Sequence, residues 1–369
     1  MRILYGVAGE GMGHATRSRV VIDHLSRQHE VEVVVSGRAH DYLKAREHDR
    51  LGVNRIWGLS IVYEDNQVQH LRTILSNLKG AFTGGLPRNL KAYFDLTTQF
   101  RPDVVVSDFE TWSYLYGTAH GLPVVSLDNN QVVNRCAFPP DILEGKEAEY
   151  LTAKAIVKAK LPGCFHYLIT SFFRPEITHP RTTLHPPVLR PEIRAARPEP
   201  GQHLLVYQTS TSNEALPEIL ARSGRECRIY GLRRDLKQEV REGALRYRPF
   251  SEPAFIEDLR TARAVISGGS FTLMSEAVHL GRPMLSVPVK KQFEQILNGR
   301  YLQRLGFGLT AEEVTREKVG ELLERADEFE RNLSAAPHPG HEETLASLDA
   351  VLERAVAEGT PPAGEEPGP

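Results

Sequence analysis

Apolar residues along this chain follow two alternating rhythms, and the alternation occurs twice. Short unbroken apolar runs lie at Arg2 to Val7, Val31 to Val35, Asp103 to Ser107, Pro123 to Ser126 and Tyr167 to Thr170. Runs of this kind, rich in β-branched residues, predict buried strands. Between them, His14 to Arg27, Leu90 to Gln99 and Thr111 to His120 carry helical spacing. Strands alternating with helices imply a mostly parallel sheet covered on both faces. After residue 202 the pattern restarts. His203 to Tyr207 and Cys227 to Tyr230 are strand-like, and Glu252 to Thr261 is helical. Ala264-Val265-Ile266 then leads through a glycine turn into a helix, a strand from Met284 to Val287 and another helix.

The expected fold is therefore α/β, with two doubly wound domains facing a cleft at residues 1–178 and 203–336. Prolines at 180, 186, 187, 191, 198 and 200 predict an irregular linker over 179–202. A Pro-Gly break at 337–340 precedes a terminal helix reaching residue 358. Residues 359–369 are Pro, Gly and Glu with nothing to bury, and predict a disordered tail.

Composition narrows the function classes. A chain of 369 residues exceeds one ordinary core, and 41% hydrophobic with 25% charged residues is a globular balance. A net charge of −2 offers no footing for nucleic acid. Cys136, Cys164 and Cys227 are far apart, which argues against a disulfide framework or a zinc site and favours a reducing compartment. The apolar run at the start is too short for a secretory signal, and no stretch approaches membrane-spanning length. A cytoplasmic location is expected.

Candidate chemistry concentrates in two places. The first is Val265 to Asn298. A strand, Gly268-Gly269 and a helix start let backbone N–H groups approach a phosphate, and the helix dipole adds to the attraction. Thr272 and Glu276 are one turn apart and share a face. A hydroxyl near the phosphate, with a carboxylate one turn on, suits a nucleoside diphosphate whose ribose hydroxyls the carboxylate accepts. Glu294, Gln295 and Asn298 form a second same-face cluster able to bond a sugar. Taken singly, each residue fits equally a helix whose Leu273, Ala277 and Leu280 simply pack; the ordered combination favours a site.

The second place is Gly9-Glu10-Gly11-Met12-Gly13-His14. A dinucleotide fingerprint needs a glycine where His14 stands, so an ordinary NAD site is rejected. A glycine-rich turn that delivers His14 to a helix start at the sheet's carboxyl edge suits a base, or a histidine that only caps its helix. Asp108, at the end of a strand, can reach that edge and hold the other ring nitrogen. Helix capping is the alternative for Asp108, and Glu10 and Glu110 compete for its role.

From Gly268 onward the chain resembles the donor-binding motif of GT-B glycosyltransferases, those of family 28 and the UDP-glycosyltransferases. The matching residues are Gly268-Gly269, Ser270, Thr272, Glu276-Ala277, Gly281-Arg282-Pro283, Pro288, Glu294-Gln295 and Asn298. The resemblance implies that Glu276 holds the ribose, Ser270 and Thr272 the diphosphate, and Glu294 with Gln295 the donor sugar. It implies that Arg248-Pro249-Phe250 and Phe255-Ile256 seat the base, through backbone near Phe250 and an apolar wall from Ile256, while Phe255 by itself fits core packing better. It casts His14 as the base for an acceptor hydroxyl and Asp108 as its orienting carboxylate. One departure is Ser267-Gly268, where many UDP-sugar enzymes carry a His. The whole chain resembles bacterial and archaeal teichoic-acid-type or cell-wall glycosyltransferases, and in GT-B enzymes a terminal helix commonly crosses back to the first domain.

The implied reaction is inverting transfer from a UDP-linked sugar to a hydroxyl. No Asp-x-Asp pair is present, so no essential metal is expected, and no cofactor beyond the nucleotide sugar. Acceptor candidates are Tyr63, His70, Arg72, Lys79 and Phe82 in the long segment from Ile61 to Gly85, for a glycan or lipid-linked hydroxyl. Lys154, Lys158 and Lys160 flank apolar residues before Pro162, which suits peripheral contact with anionic lipid or a solvated helix face. Three other classes compete. One is a nucleotide-sugar hydrolase or 2-epimerase, and another a silent binding subunit. The third, an NAD(P) oxidoreductase using Arg38, has the glycine spacing against it.

Overall fold

The buried runs pair as parallel strands, and the computed structural model describes them over residues 1–9, 12–58, 63–64, 67–68, 85–199, 201–208, 213–337 and 340–360. Two units are present. One comprises Met1–Val62, Gln69–Val188 and Pro339–Pro369, the other Tyr63–Val68 and Leu189–His338.

In the first unit the strands are β1 (Arg2–Val7), β2 (Glu30–Val35), β3 (Leu51–Arg55), β4 (Val104–Asp108), β5 (Val124–Asp128), β6 (His166–Thr170) and β7 (Thr182–His185). Their order across the sheet is β7-β6-β5-β4-β1-β2-β3, with every neighbouring pair parallel. Every residue of β4 and β5 is buried, which is why these central strands are apolar without alternation. Helices α1 (Met12–Leu25), α2 (Thr111–Ala119) and α3 (Glu147–Lys160) belong to this unit. So does the terminal helix, Glu342–Glu358. Its Leu348, Val351, Leu352 and Ala355 enter one core with Ile3, Val104, Leu168 and Val188. The Thr344 hydroxyl donates to the Pro186 carbonyl at 2.9 Å.

The proline-dense stretch is more regular than expected. Thr182–His185 contains no proline and extends the sheet beside β6, with Thr182 opposite Tyr167 and His185 opposite Thr170. Pro180 and Pro186 flank this edge strand, where a missing N–H breaks no ladder bond. Pro191 opens a short helix, Pro191–Ala195, in the first-turn position that tolerates it. The crossing between units falls between Val188 and Leu189, both buried. The tail expected at 359–369 lies outside the described residues from position 361, and so does most of the segment from Ile61 to Gly85, His70, Arg72, Lys79 and Phe82 included.

The second unit holds β8 (Leu204–Tyr207), β9 (Cys227–Tyr230), β10 (Val240–Glu242), β11 (Leu245–Tyr247), β12 (Ala264–Ser267), β13 (Met284–Ser286) and β14 (Gly308–Thr310). Their order is β10-β11-β9-β8-β12-β13-β14, parallel apart from the β10–β11 pair. Helices α4 (Phe271–His279) and α5 (Phe293–Arg304) follow β12 and β13. Each sheet reverses its winding once, between β1 and β4 and between β8 and β12. Open α/β sheets bind ligands outside the carboxyl ends of the strands at such a reversal.

The β6–β7 edge gives the first unit an acid-sensitive seam. The Nε2 atoms of His166 and His185 lie 3.0 and 2.7 Å from the Thr183 hydroxyl. Burial, with nearby arginines, pushes His166 down to about 4 and burial lowers His185 as well. An unfolded histidine titrates near 6.5, so as pH falls toward 4 the unfolded chain takes up protons first. Stability is thus fully present above about 6.5 and lost through that window. Allowing for solvent screening of the partly exposed His166 ring, melting at pH 5 should show a loss of about 1–2 kcal/mol relative to pH 7. His166→Gln should flatten that slope, and a wild-type melting temperature that holds level across the window would contradict the assignment.

Candidate functional site

The first unit's reversal point is built from the ends of β1 and β4, where Val7 pairs with Asp108. Beyond β1, Gly9 passes so near Ser36 that a Cβ would stand 2.4 Å from the Ser36 carbonyl oxygen, which excludes any side chain. Glu10 and Gly11 lie outside the described residues. Gly13 is in the first turn of α1, its carbonyl accepting from the Thr16 hydroxyl at 3.1 Å.

His14 follows, and its Nδ1 lies 2.8 Å from Asp108 Oδ1. The ring is 17% exposed and the carboxylate buried. Asp108 is delivered there by a strained turn. Phe109 adopts φ +56°, a left-handed conformation costly for a bulky residue, as the chain swings from β4 into α2. Asp108 does not cap α2. Glu110 does, accepting from the N–H groups of Trp112 at 2.8 Å and Ser113 at 2.6 Å.

Three residues not foreseen complete the cluster. Arg17, only 6% exposed, donates from Nε to Asp108 Oδ2 at 3.0 Å and from Nη2 to Asp108 Oδ1. Its Nη1 donates to Asn129 Oδ1, and the Ser18 hydroxyl donates to Asp108 Oδ2 at 2.6 Å. Burial works against the Asp108 charge, but the Arg17 guanidinium and the His14 ring outweigh it and hold the carboxyl well below its usual range. Arg17 and Ser18 were legible as the positions three and four after His14, on the same helix face. Asn129 comes from beyond β5 and left no sequence signal.

Arg17 Nη2 also lies 2.8 Å from His14 Nδ1. The anionic Oδ1 is the stronger attractor for a proton on that nitrogen. An Nδ1–H tautomer therefore donates to Asp108 and leaves the Nε2 lone pair free of partners among the described residues.

In the second unit the glycine turn follows β12 at the other reversal. Gly269 has φ +33°, and a Cβ there would meet the Gln295 backbone oxygen at 2.6 Å. Ser270 is the N-cap residue of α4, with no side-chain capping bond, and Ser270 and Thr272 are half-buried. First-turn N–H groups of a helix have no intrahelical acceptor, so α4 presents two hydroxyls and a row of donors together.

Other expected contacts are placed differently. Asn298 is 2% exposed and donates from Nδ2 to the Gly269 carbonyl at 3.0 Å, so it braces the glycine turn rather than offering its amide to a sugar. Gln295 Oε1 accepts from Val289 N at 2.9 Å and fixes the loop before α5, while Glu294 is half-buried in that helix's first turn. Phe250 is 66% exposed, its ring 6.1 Å from Phe255. Ile256 is buried in its helix and Phe255 packs edge-on against Tyr207 and Tyr230.

Glu276 is 2% exposed and carries both oxygens on one partner. Arg190 Nε and Nη2 donate to its Oε1 and Oε2, each at 2.7 Å, and Arg190 Nη1 donates to Glu252 at 2.8 Å. Burial pushes the Glu276 carboxyl up while Arg190 pulls it down, and Arg190 itself stays firmly protonated. The bidentate fork was invisible beforehand because Arg190 lies in the stretch taken for a linker.

Of the basic patch on α3, Lys160 stacks 3.8 Å above the Phe109 ring and Lys154 lies 5.7 Å from that of Tyr150. Among the described residues, no group of three or more His, Cys, Asp or Glu is placed to hold a metal, and no helix is long and apolar enough to cross a membrane.

Comparison with known proteins places these units. An uncharacterized glycosyltransferase of Methanosarcina acetivorans is 23% identical over 374 residues, covering 90% of this chain and 92% of its own. The calicheamicin glycosyltransferase CalG4 superposes with a TM-score of 0.61 at 16% identity, over 96% of this chain and 99% of that one. UGT89C1 of Arabidopsis thaliana, solved complexed with UDP, gives 0.63 at 15% identity, over 96% and 98%. These likenesses establish the GT-B fold. The model described as glycosyl transferase family 1 matches residues 1–326, spanning both parallel sheets, and the chain belongs to that family of glycosyltransferases.

Proposed function

We propose that the enzyme transfers a glycosyl group, with inversion, from a UDP-linked sugar to an acceptor hydroxyl, and that His14 takes the proton. The His14–Asp108 pair carries this reading. It gives a half-buried imidazole an ionised partner on Nδ1 and an unengaged Nε2, at the point of the sheet where ligands bind. As the acceptor oxygen attacks the anomeric carbon, its proton passes to Nε2 and the bond to the diphosphate breaks. Asp108 stabilises the imidazolium that forms.

The leaving diphosphate falls to the N–H groups and hydroxyls at the start of α4. Such preorganised donors, with the helix dipole, stabilise developing charge without a metal ion. UDP in the solved structure of UGT89C1 supports uridine as the donor nucleoside.

A thermal-shift screen with UDP-, GDP-, CDP- and dTDP-sugars tests the donor. Ligand at a hundred times its dissociation constant should add about 2.7 kcal/mol of stability. A UDP-sugar is expected to give the largest shift, unaltered by a chelator. No shift with any nucleotide sugar would reject the donor assignment. Release of UDP at full rate without acceptor would make the enzyme a hydrolase.

A further inference from the structure

Arg190 is the second residue of the long segment Leu189–His338 of the second unit, and its side chain closes on the carboxylate to which the donor reading gives the ribose. We infer that Arg190 is a positioning residue for that ribose, and that the Arg190–Glu276 fork lets the enzyme distinguish a ribonucleoside diphosphate from its 2′-deoxy form. The inference rests on the donor reading above and adds to it a residue and a selectivity.

Three observations carry it. The fork is two-pronged, Nε to one oxygen and Nη2 to the other, so it fixes the plane of the carboxylate as well as its place. An ionised carboxylate offers about four lone-pair positions. The fork takes one on each oxygen and leaves one on each, the arrangement that accepts two hydroxyls of a vicinal diol. The Glu276 carboxylate has no other hydrogen-bond partner among the described residues, so Arg190 sets that plane.

Arg190 is in turn held from two sides. Its backbone precedes Pro191 at the start of the short helix, and its third nitrogen is tied to Glu252. The guanidinium therefore holds its place when the carboxylate is approached.

The pair is a poor choice for stability alone. Removing two ions from water costs about as much as their attraction returns, and apolar residues of similar volume commonly serve as well. Here one buried arginine stands between two carboxylates, leaving a net negative charge at the helix whose start the donor reading gives to the phosphates. That arrangement opposes anion binding, unless the carboxylate serves the hydroxyl end of the nucleotide.

The test is calorimetric binding of UDP and 2′-deoxy-UDP to the full chain. Wild type should prefer UDP by roughly 10- to 100-fold, the range for a hydrogen bond to a charged group. In Arg190→Met the ratio should fall to about one through loss of UDP affinity, with 2′-deoxy-UDP bound much as before. Arg190→Lys keeps the charge without the fork and should restore part of the preference. A merely structural arginine would weaken both ligands together. If the methionine variant does not melt cooperatively, the lysine variant decides, and its ratio should fall at least threefold, or about 0.65 kcal/mol. A wild-type ratio retained in a folded variant overturns the inference and leaves the donor reading intact. Wild-type protein that binds neither nucleotide overturns both.

Discussion

His14→Ala should slow glycosyl transfer roughly 10²–10⁴-fold, the usual contribution of a positioned general base, while UDP binding measured by calorimetry stays unchanged. The separation is expected because the imidazole lies in the first unit, whereas the proposed donor contacts belong to the second. The substitution is structurally mild. Asp108 keeps Arg17 and Ser18, so no buried charge is stranded. His14→Gln is the companion variant: it retains a hydrogen-bonding side chain but has no nitrogen able to take a proton, and should be as slow as alanine. Either variant with wild-type turnover would remove His14 from the chemistry.

Asp108→Ala should cost about 3–5 kcal/mol of folding stability, read by urea denaturation, besides its effect on rate. The loss comes from Arg17. Its guanidinium is buried and carried by α1, and after the substitution the partners left to it are neutral, the Asn129 side-chain oxygen Oδ1 and the His14 ring. A buried cation that has lost its hydrogen-bonded carboxylate, with only the field of Asp128 left to it, must be solvated poorly or drag the helix outward. Adding Arg17→Met removes the stranded charge, so the double variant should regain most of the lost stability. Transfer should stay slow in the double variant, because His14 still lacks its carboxylate. Should the double variant be no more stable than Asp108→Ala alone, the charge explanation fails.

The central strands and the paired motifs were legible because they obey local rules. β1, β4 and β8 are built on apolar runs, and the glycine turns needed at reversal points leave their mark in the sequence. The strands that escaped, β3, β7, β10, β11 and β14, are the edge strands of the two sheets and, in β11, the one beside an edge. β3 is only half-buried along its length, and β14 begins at Gly308. An edge strand has one neighbour and one dry face, so its pattern is short and mixed.

In the site, what was visible was chemistry carried by one segment, such as Gly268 to Glu276. Partnerships across the chain were not. Arg17 with Asp108 spans α1 to β4, and Arg190 with Glu276 joins the proline-rich stretch to α4. Buried charges need partners, but the rule does not say which residue answers. Asn298 shows the converse, since a polar side chain in a motif can serve the backbone of that motif.

The terminal helix sets the order in which this molecule can assemble. Leu348, Val351, Leu352 and Ala355 complete the apolar interior around Ile3 and Val104, so that interior stays open until those residues have left the ribosome. Residues 189–338 carry the other interior within one stretch of chain and can close it sooner. The half translated first is thus the half finished last.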